Sequence, residues 1–431
     1  MQLGKIKKEL GVATCALLQA PGATVHASDS DWDIDTAVLY YGESDGRVTA
    51  FEPAVHASKD LGDDESIDLR LVVDVLTGAT PNGAHASSVT QTFTTPSGNG
   101  TYTAAPGETP LDSTFKDTRV AVGGDWTLPF NRLSRIKLGV NASGEHDYFS
   151  LGASATYLRD FNNRNTTLSA GLAFNNDTIN PEGGIPTALS PMRQPGQINR
   201  EGSDDTKTVT DMILGITQVV SRNTLMQFNY SMGMQDGYLT DPYKIVTVVD
   251  PVTGLPDNSA LINVNADALP YVYEKRPDSR QLNSLFFRTV HHLKRDVINF
   301  SYRYFWDDWG ITSNTFDLKY RYEIGRGYLQ PNIRYYMQDA ADFYVHNLVQ
   351  GTDVDAGGNV LRDNISSDYR LAKLATTTLG LKYGYALGEN SELSIRGEFM
   401  NQSIDDGDVP AGEETPDLDA IIINAGYSLR W

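Results

Sequence analysis

The sequence predicts an all-β fold: a transmembrane up-and-down antiparallel β-barrel of about 16 strands, with short periplasmic turns and long extracellular loops. Three observations predict it. Segments of about ten residues alternate apolar with polar or small side chains, as a membrane-spanning strand must. The connections between them sort by turns into tight and long. The last segment carries an apolar face that ends on an aromatic residue.

The alternation is plainest in the middle of the chain. Met226, Phe228, Tyr230, Met232 and Met234 interleave with Gln227, Asn229, Ser231, Gly233 and Gln235. Phe316, Leu318, Tyr320, Tyr322 and Ile324 interleave with Asp317, Lys319, Arg321 and Glu323. In chain order, strands are expected over 32–41, 47–58, 66–77, 116–128, 135–143, 148–158, 166–175 and 207–220. Eight more follow over 224–235, 280–293, 296–306, 312–324, 328–338, 369–387, 391–401 and 418–431.

With the mature N-terminus taken as periplasmic, tight turns fall in periplasmic slots at Asn131-Arg132, Asn162-Asn163-Arg164, Ser221-Arg222-Asn223, Lys294-Arg295, Gly325-Arg326-Gly327 and Gly388-Glu389-Asn390. The long connections 78–115, 176–206, 236–279, 339–368 and 402–417 fall in extracellular slots. A soluble sandwich has no physical reason to sort its connections this way, whereas an outer-membrane barrel does. In the final strand Ile421, Ile423, Ala425, Tyr427, Leu429 and Trp431 share one face. This ending resembles that of outer-membrane barrels, whose terminal aromatic is read by the barrel assembly machinery. Within the long loops, 244–250 and 260–265 flank Pro251-Val252-Thr253-Gly254, and 89–94 and 101–104 flank Pro96 to Gly100. Both pairs are expected to be hairpins protruding above the membrane.

Composition bounds the alternatives. The 431 residues are 40% apolar, with a mean hydropathy of −0.35. After the N-terminus no stretch reaches the ~18 apolar residues of a membrane helix. The 22 tyrosines suit interfacial girdles. Lys5, Lys7 and Lys8, an apolar run over 10–18, the break at Pro21-Gly22 and the small-residue site Val25-His26-Ala27 read as a signal peptide. The expected division is therefore 1–27 signal and 28–431 barrel, in the outer membrane of a Gram-negative bacterium. A lipoprotein reading at Cys15 is disfavoured, because Thr14 precedes it and the apolar run is short. Cys15 is the sole cysteine, so the mature chain would have no disulfide and no thiolate chemistry. The full chain carries −20, and losing a signal of charge +2 leaves −22. That balance excludes nucleic acid as a partner. The partners expected instead are outer-membrane lipids, lipopolysaccharide and the barrel assembly machinery.

The strand parity opposite the apolar face should line the lumen, since a charge facing lipid costs about 2–4 kcal/mol at mid-membrane. This places Arg288, Arg303, Arg321, Arg334, Lys382 and Arg396 inside, with Asp317, Glu323 and Glu398 among them. Asp68, Arg70 and Asp74 face inward from an early strand, next to Arg119 and Asp125. Such charges can simply pair to make a polar lumen, or they can form a basic arc that steers an anionic solute. The extracellular loops are acidic. Asp405, Asp406, Asp408, Glu413, Glu414 and Asp417 fall in one, and Asp339, Asp342, Asp353, Asp355, Asp363 and Asp368 in another. Hard-oxygen ligands of this kind suit divalent cations, but Asp353-x-Asp355-x-Gly357 lacks the rest of a calcium-loop motif, and a solvated surface bridged to lipopolysaccharide by ordinary divalent ions is the preferred reading. His291 and His292 are adjacent on a strand and point to opposite faces. No nucleophile elbow, zinc-protease helix or phosphate loop is present, and no cofactor is called for.

Four motifs carry a resemblance: Asp241-Pro242-Tyr243-Lys244; Arg303 to Ile311, reading RYFWDDWGI; Arg334-Tyr335-Tyr336 followed by Ala341-Asp342-Phe343-Tyr344; and Asp368-Tyr369-Arg370-Leu371. Together they resemble an uncharacterised family of predicted Gram-negative outer-membrane β-barrel proteins, catalogued as a domain of unknown function. The resemblance covers most of the mature chain and implies location and fold. The flavin transferase and thioredoxin-like proteins encoded near such family members hint at extracytoplasmic redox or flavin handling. Two function classes follow: a channel or transporter for small solutes, anionic ones among them, and a binding or scaffold barrel for a periplasmic or surface partner. A barrel-wall hydrolase is third, since such a site is assembled in space and leaves no local motif.

Overall fold

A strand of period two offers one apolar face to be covered and two backbone edges to be paired, and in lipid only a closed ring satisfies both. The computed structural model describes residues 32–78, 81–94, 101–112, 115–194, 197, 199–405 and 417–430. It closes sixteen such strands into one antiparallel barrel. The first eight are β1 (Trp32–Glu43), β2 (Thr49–Gly62), β3 (Glu65–Thr77), β4 (Lys116–Asn131), β5 (Ser134–Gly144), β6 (Tyr148–Phe161), β7 (Thr166–Ile179) and β8 (Asp205–Ser221). The rest are β9 (Thr224–Gly237), β10 (Ser279–His292), β11 (Val297–Asp307), β12 (Thr312–Ile324), β13 (Gly327–Gln338), β14 (Lys373–Ala386), β15 (Ser391–Asp405) and β16 (Leu418–Arg430). Neighbours in sequence are neighbours in the ring, and β1 pairs with β16 from Asp33↔Arg430 to Glu43↔Ala420 to close it.

All sixteen strands lie where the alternation puts them. Strand ends differ from expectation by at most four residues, and at β14 the expected start is instead a 3-10 turn over Tyr369–Leu371. The Asp368 carboxylate accepts from the Arg370 amide there at 3.2 Å, a local side-chain bond that competes with strand pairing. Outside the described residues lie the expected signal segment with Cys15, acidic loop residues 406–416, and Trp431.

The outer face presents apolar groups with nothing over them. Leu172, Phe174, Leu381, Ile395 and Ile421 are each at least half exposed. A closed ring of paired backbone with an apolar exterior is the β-structure that spans the Gram-negative outer membrane, and that is where this protein sits. The tight turns share one rim. In the β6–β7 turn Asn162, Asn163 and Arg164 all take positive φ. The guanidinium of Arg164 is forked on Asp64 at 2.6 and 2.9 Å.

The long loops do not protrude as separate hairpins. Pro191–Arg193, Ala268–Tyr273, Ile245–Val249 and Leu348–Val349 form one four-stranded sheet, in that order. They come from the β7–β8, β9–β10 and β13–β14 connections. The β3–β4 connection joins them, with the Ile245 amide donating to Asn82 O at 2.9 Å and the Thr247 hydroxyl donating to Gly83 O at 2.9 Å. These loops leave the ring at widely separated points, so they can meet only by crossing the mouth. They make a cap with its own core, in which Val246, Val248, Leu261, Val272, Leu348 and Ile365 are fully buried. The expected pairing of 244–250 with 260–265 is corrected: Ile245–Val249 pairs with Ala268–Tyr273, and Leu261–Asn263 is a 3-10 turn. Ala260-Leu261-Ile262 has no period-two pattern, and as a turn it drops Leu261 into the cap core. Gln91–Thr94 and Thr101–Ala104 do pair with each other, burying Phe93 against Tyr102 and Tyr271 at 5.4 Å.

Candidate functional site: the lumen and its cap

Pairing register fixes which side chains share a face. Asp317 pairs with Arg334, and Lys382 with Arg396. Their strand neighbours Leu318, Ile333, Leu381 and Ile395 are on the exposed outer face. All nine lumen residues expected from the sequence therefore face inward: Arg288 on β10, Arg303 on β11, Asp317, Arg321 and Glu323 on β12, Arg334 on β13, Lys382 on β14, and Arg396 and Glu398 on β15. Lys319 and Glu392 share that face and were equally readable from the alternation. Between Arg288 and Glu398 the inward face of the strands thus offers seven cations against five carboxylates, one of which, Asp307, is held by Arg280.

The cations are not equivalent. Arg321 Nε lies 2.5 Å from Glu323 Oε1, and its guanidinium sits 3.5 Å from the centre of the Tyr328 ring. Lys319 neutralises Asp317 at 3.3 Å. Arg288 Nε donates to Asn299 Oδ1 at 3.2 Å. Arg396 reaches Glu398 only at 3.9 Å. Arg303 and Arg334 are exposed to the lumen, and among the described residues neither has a carboxylate partner; Arg303 lies 5.6 Å from the Phe305 ring. Arg288 and Lys382 also lack a carboxylate within ion-pair distance among the described residues, but they are half-buried, so Arg303 and Arg334 are the unneutralised charges most open to the lumen.

The other sectors differ. On β1–β5 the charges are largely paired: Arg119 with Asp74 at 2.6 Å, Arg70 with Asp125, Lys137 with Asp125 at 3.4 Å and with Asp68 at 3.6 Å, and His56 with Asp68 at 3.3 Å. On β5–β9 the wall is flat. Gly139, Gly152, Gly171, Gly215 and Gly233 face inward on successive strands, and neighbouring polar side chains lie across them. A Cβ at Gly152 would fall 1.9 Å from Asn175 Oδ1, and one at Gly215 would fall 2.4 Å from Ser169 Oγ. The lumen therefore has one basic, one flat and one charge-paired sector.

At the mouth, the family-like motifs meet in an arrangement the sequence did not disclose. Asp241 and Lys244 from one motif and Asp368 and Arg370 from another surround Glu274 and Arg276. Asp241, Lys244, Glu274 and Asp368 are at most 2% exposed. Arg276 reaches Glu274 at 2.7 Å and Asp368 at 3.0 Å. Arg370 holds Asp368 at 2.5 Å. The Glu274 carboxylate also accepts from Ser366 Oγ and from the Asp241 amide, at 2.5 and 2.7 Å. Lys244 Nζ donates to Pro81 O on the β3–β4 loop and lies 5.6 Å from the Tyr369 ring. Arg47, on the β1–β2 turn, lies 5.5 Å from that ring. Three acids and three bases thus tie the cap together and to the rim. Burial holds the Lys244 amine down to about 8 and pushes the Glu274 carboxyl up. Burial alone would raise Asp368, yet Arg370, Lys244 and Arg276 hold it well below the usual carboxylate range. Such a network is costly to leave half-paired: removing one partner of a buried ion pair costs about 3–5 kcal/mol. The Trp309-Gly310 motif packs beside it, with Trp309 edge-on to Phe343 at 5.0 Å.

The acidic loop residues take local partners. Asp353 binds Arg362 at 2.8 Å, Asp355 closes a turn with the Gly357 and Asn359 amides, and Asp405 pairs with Lys373 at 2.8 Å. Among the described residues no three His, Asp or Glu groups converge as a metal site. His85 and His346 lie in the cap with ring centres 4.7 Å apart. Burial and the neighbouring ring hold His85 down to about 4, so it is neutral at neutral pH. His291 sits at the tight-turn rim beside the Thr224 hydroxyl, at 2.9 Å.

Compared with known proteins, residues 7–429 match the model of a family described as "Protein of unknown function (DUF3570)". No curated protein sequence matches the chain significantly. Among solved structures it is similar to Pseudomonas aeruginosa OccK5 (OpdH), at 9% identity and a TM-score of 0.41, over 94% of this chain and 98% of that one. It is similar to the CymD monoaromatic hydrocarbon channel at 8% identity and 0.39, over 94% and 89%. It is similar to a bacterial polysaccharide outer membrane secretin at 8% and 0.42, over 94% and 100%. Scores this low carry no argument beyond the likeness itself.

Proposed function

The chain belongs to the DUF3570 family, whose description assigns no activity, and from that premise we propose, on the lumen's own chemistry, that the barrel is a capped channel for small anionic solutes. The observation that carries this reading is the pair of unneutralised arginines, Arg303 and Arg334, on an inward face where cations outnumber carboxylates. A fixed charge in a narrow, low-dielectric passage governs local selectivity more than distant loop charges screened over ~8 Å by salt. The flat glycine sector beside the arc leaves space for a solute. Single-channel recording of refolded protein tests the reading. Conductance should favour anions. Replacing Arg303 and Arg334 together with Gln should shift the reversal potential toward cation selectivity. Arg321→Gln should shift it less, because Glu323 already offsets that charge. Equal effects, or none, would assign these arginines to structure alone. The cap across the mouth favours a second reading, a barrel with a closed lumen that holds a partner; absence of any conductance would support it.

A further inference from the structure

Near the tight-turn end of the lumen, three polar side chains stand in one row across adjacent strands. Lys382 on β14 pairs in register with Arg396 on β15, and Arg396 with Asn424 on β16. Facing residues of paired strands have Cα atoms about 5 Å apart, and all three side chains point inward. Arg396 and Asn424 are each 7% exposed, yet among the described residues Arg396 Nε and Asn424 Nδ2 have no hydrogen-bond partner. Lys382 has no carboxylate within ion-pair distance among the described residues; it lies 5.8 Å from the Tyr328 ring. The nearby carboxylates are engaged elsewhere. Glu392 accepts from Tyr328 OH at 2.8 Å, Glu398 accepts from Asn332 Nδ2 at 2.8 Å, and Glu323 holds Arg321. Among the described residues only Glu398 comes within ion-pair distance of the row, at 3.9 Å from Arg396, while Glu392 and Asp35 act on Lys382 from further off. Buried donors left unmet are unfavourable, so a site built this way calls for an acceptor from outside the chain.

We propose that Lys382, Arg396 and Asn424 form a binding subsite for the oxyanion group of a small solute, a carboxylate, phosphate or sulfate. The three differ from Arg303 and Arg334. Those two stand open in the lumen and steer, whereas this row comes from three adjacent strands, buries Arg396 and Asn424, and adds a neutral amide donor to two cations. The inference rests on the reading that solutes enter the lumen.

Calorimetric titration of the purified full chain in detergent with inorganic phosphate, at ionic strength held with sodium chloride, tests it. Phosphate should bind saturably and more tightly than chloride. Arg396→Gln and Asn424→Asp should each weaken binding by about tenfold, the second by setting a carboxylate against the ligand. Lys373→Gln should leave the affinity within about twofold, since that residue is exposed at the far end of β14 and pairs with Asp405. Heat-modifiable migration confirms that each variant is folded, and Lys382→Gln stands in for Arg396→Gln if the latter fails to assemble. Phosphate binding no tighter than chloride, or unchanged in the row variants, overturns the subsite. The two readings fail separately. Anion-selective conductance without phosphate binding overturns the subsite alone, and phosphate binding without conductance overturns the channel alone.

Discussion

Lys244 shows how far a single residue can depart from its ordinary chemistry once the fold closes on it. Its amine is enclosed by the carboxylates of Asp241, Glu274 and Asp368, the guanidinium of Arg370, the Tyr369 ring and the Pro81 carbonyl. Burial brings its proton affinity from 10.5 to about 8. Between those values the unfolded loop keeps the proton that the folded cap gives up. The stabilisation from the neutral amine is therefore fully present above about 10.5 and lost as pH falls through about 8. Resistance of the 238–278 loop to protease should rise from pH 7.5 to 10, once the protease's own pH profile is subtracted. In Lys244→Met the rise should be smaller, because that side chain does not titrate. Superimposable profiles would mean that the amine stays charged and simply completes the salt-bridge network. Nothing in the neighbourhood of Lys244 in sequence announces this. Apart from Asp241, three positions back, its partners are supplied by residues 30 or more positions away, and charge networks of that kind are assembled by the fold.

At the level of elements, membrane strands were legible and loop elements were not, for one reason. A barrel strand meets lipid on one side and water or polar groups on the other along its whole length, so the period of two is written into every residue. The cap strands meet protein on both faces. Ile245–Val249 is buried at every position and so carries no alternation to read. Its partner, Ala268–Tyr273, lies further along the same loop than the β-prone 260–265 segment. The join between the β3–β4 loop and this strand depends on Gly83, which has φ +99°, where a Cβ would lie 1.9 Å from Ile245 O and 2.2 Å from Ser367 Oγ. Gly83→Ala should therefore push the two loops apart. The expected result is faster proteolysis within the cap loops, with heat-modifiable migration of the barrel retained. Loss of the barrel itself would mean that cap and barrel form one cooperative unit.

On the scale of the whole molecule, the topology makes an external test available. Tags inserted near Gly254 should be reached by an impermeant label on intact cells, while tags near Arg222 and Arg326 should be protected until the outer membrane is opened. Reversed accessibility would invert the barrel and place the cap in the periplasm. The nine expected lumen residues all face inward because parity alone decides the face. What parity cannot supply is which charges find partners. Arg321 is held by Glu323, two residues on in the same strand, whereas Asp317, which faces Arg334 in register, is taken by Lys319 and leaves Arg334 without a carboxylate partner among the described residues.

The seam between β1 and β16 has a consequence for how the chain comes into being. Thr36 Oγ1 donates to the carbonyl of Tyr427, 391 residues onward, at 3.2 Å. Until the ribosome has released the last strand and export is complete, β1 has no neighbour on one side, and a ladder running from Asp33 to Glu43 stands open. An exposed ladder of that length is a template for any passing chain. The nascent protein must therefore cross the periplasm with both edges shielded by something other than itself. A product cut short at its C-terminus would be an open sheet with two sticky margins rather than a smaller pore, and its natural fate would be aggregation or degradation.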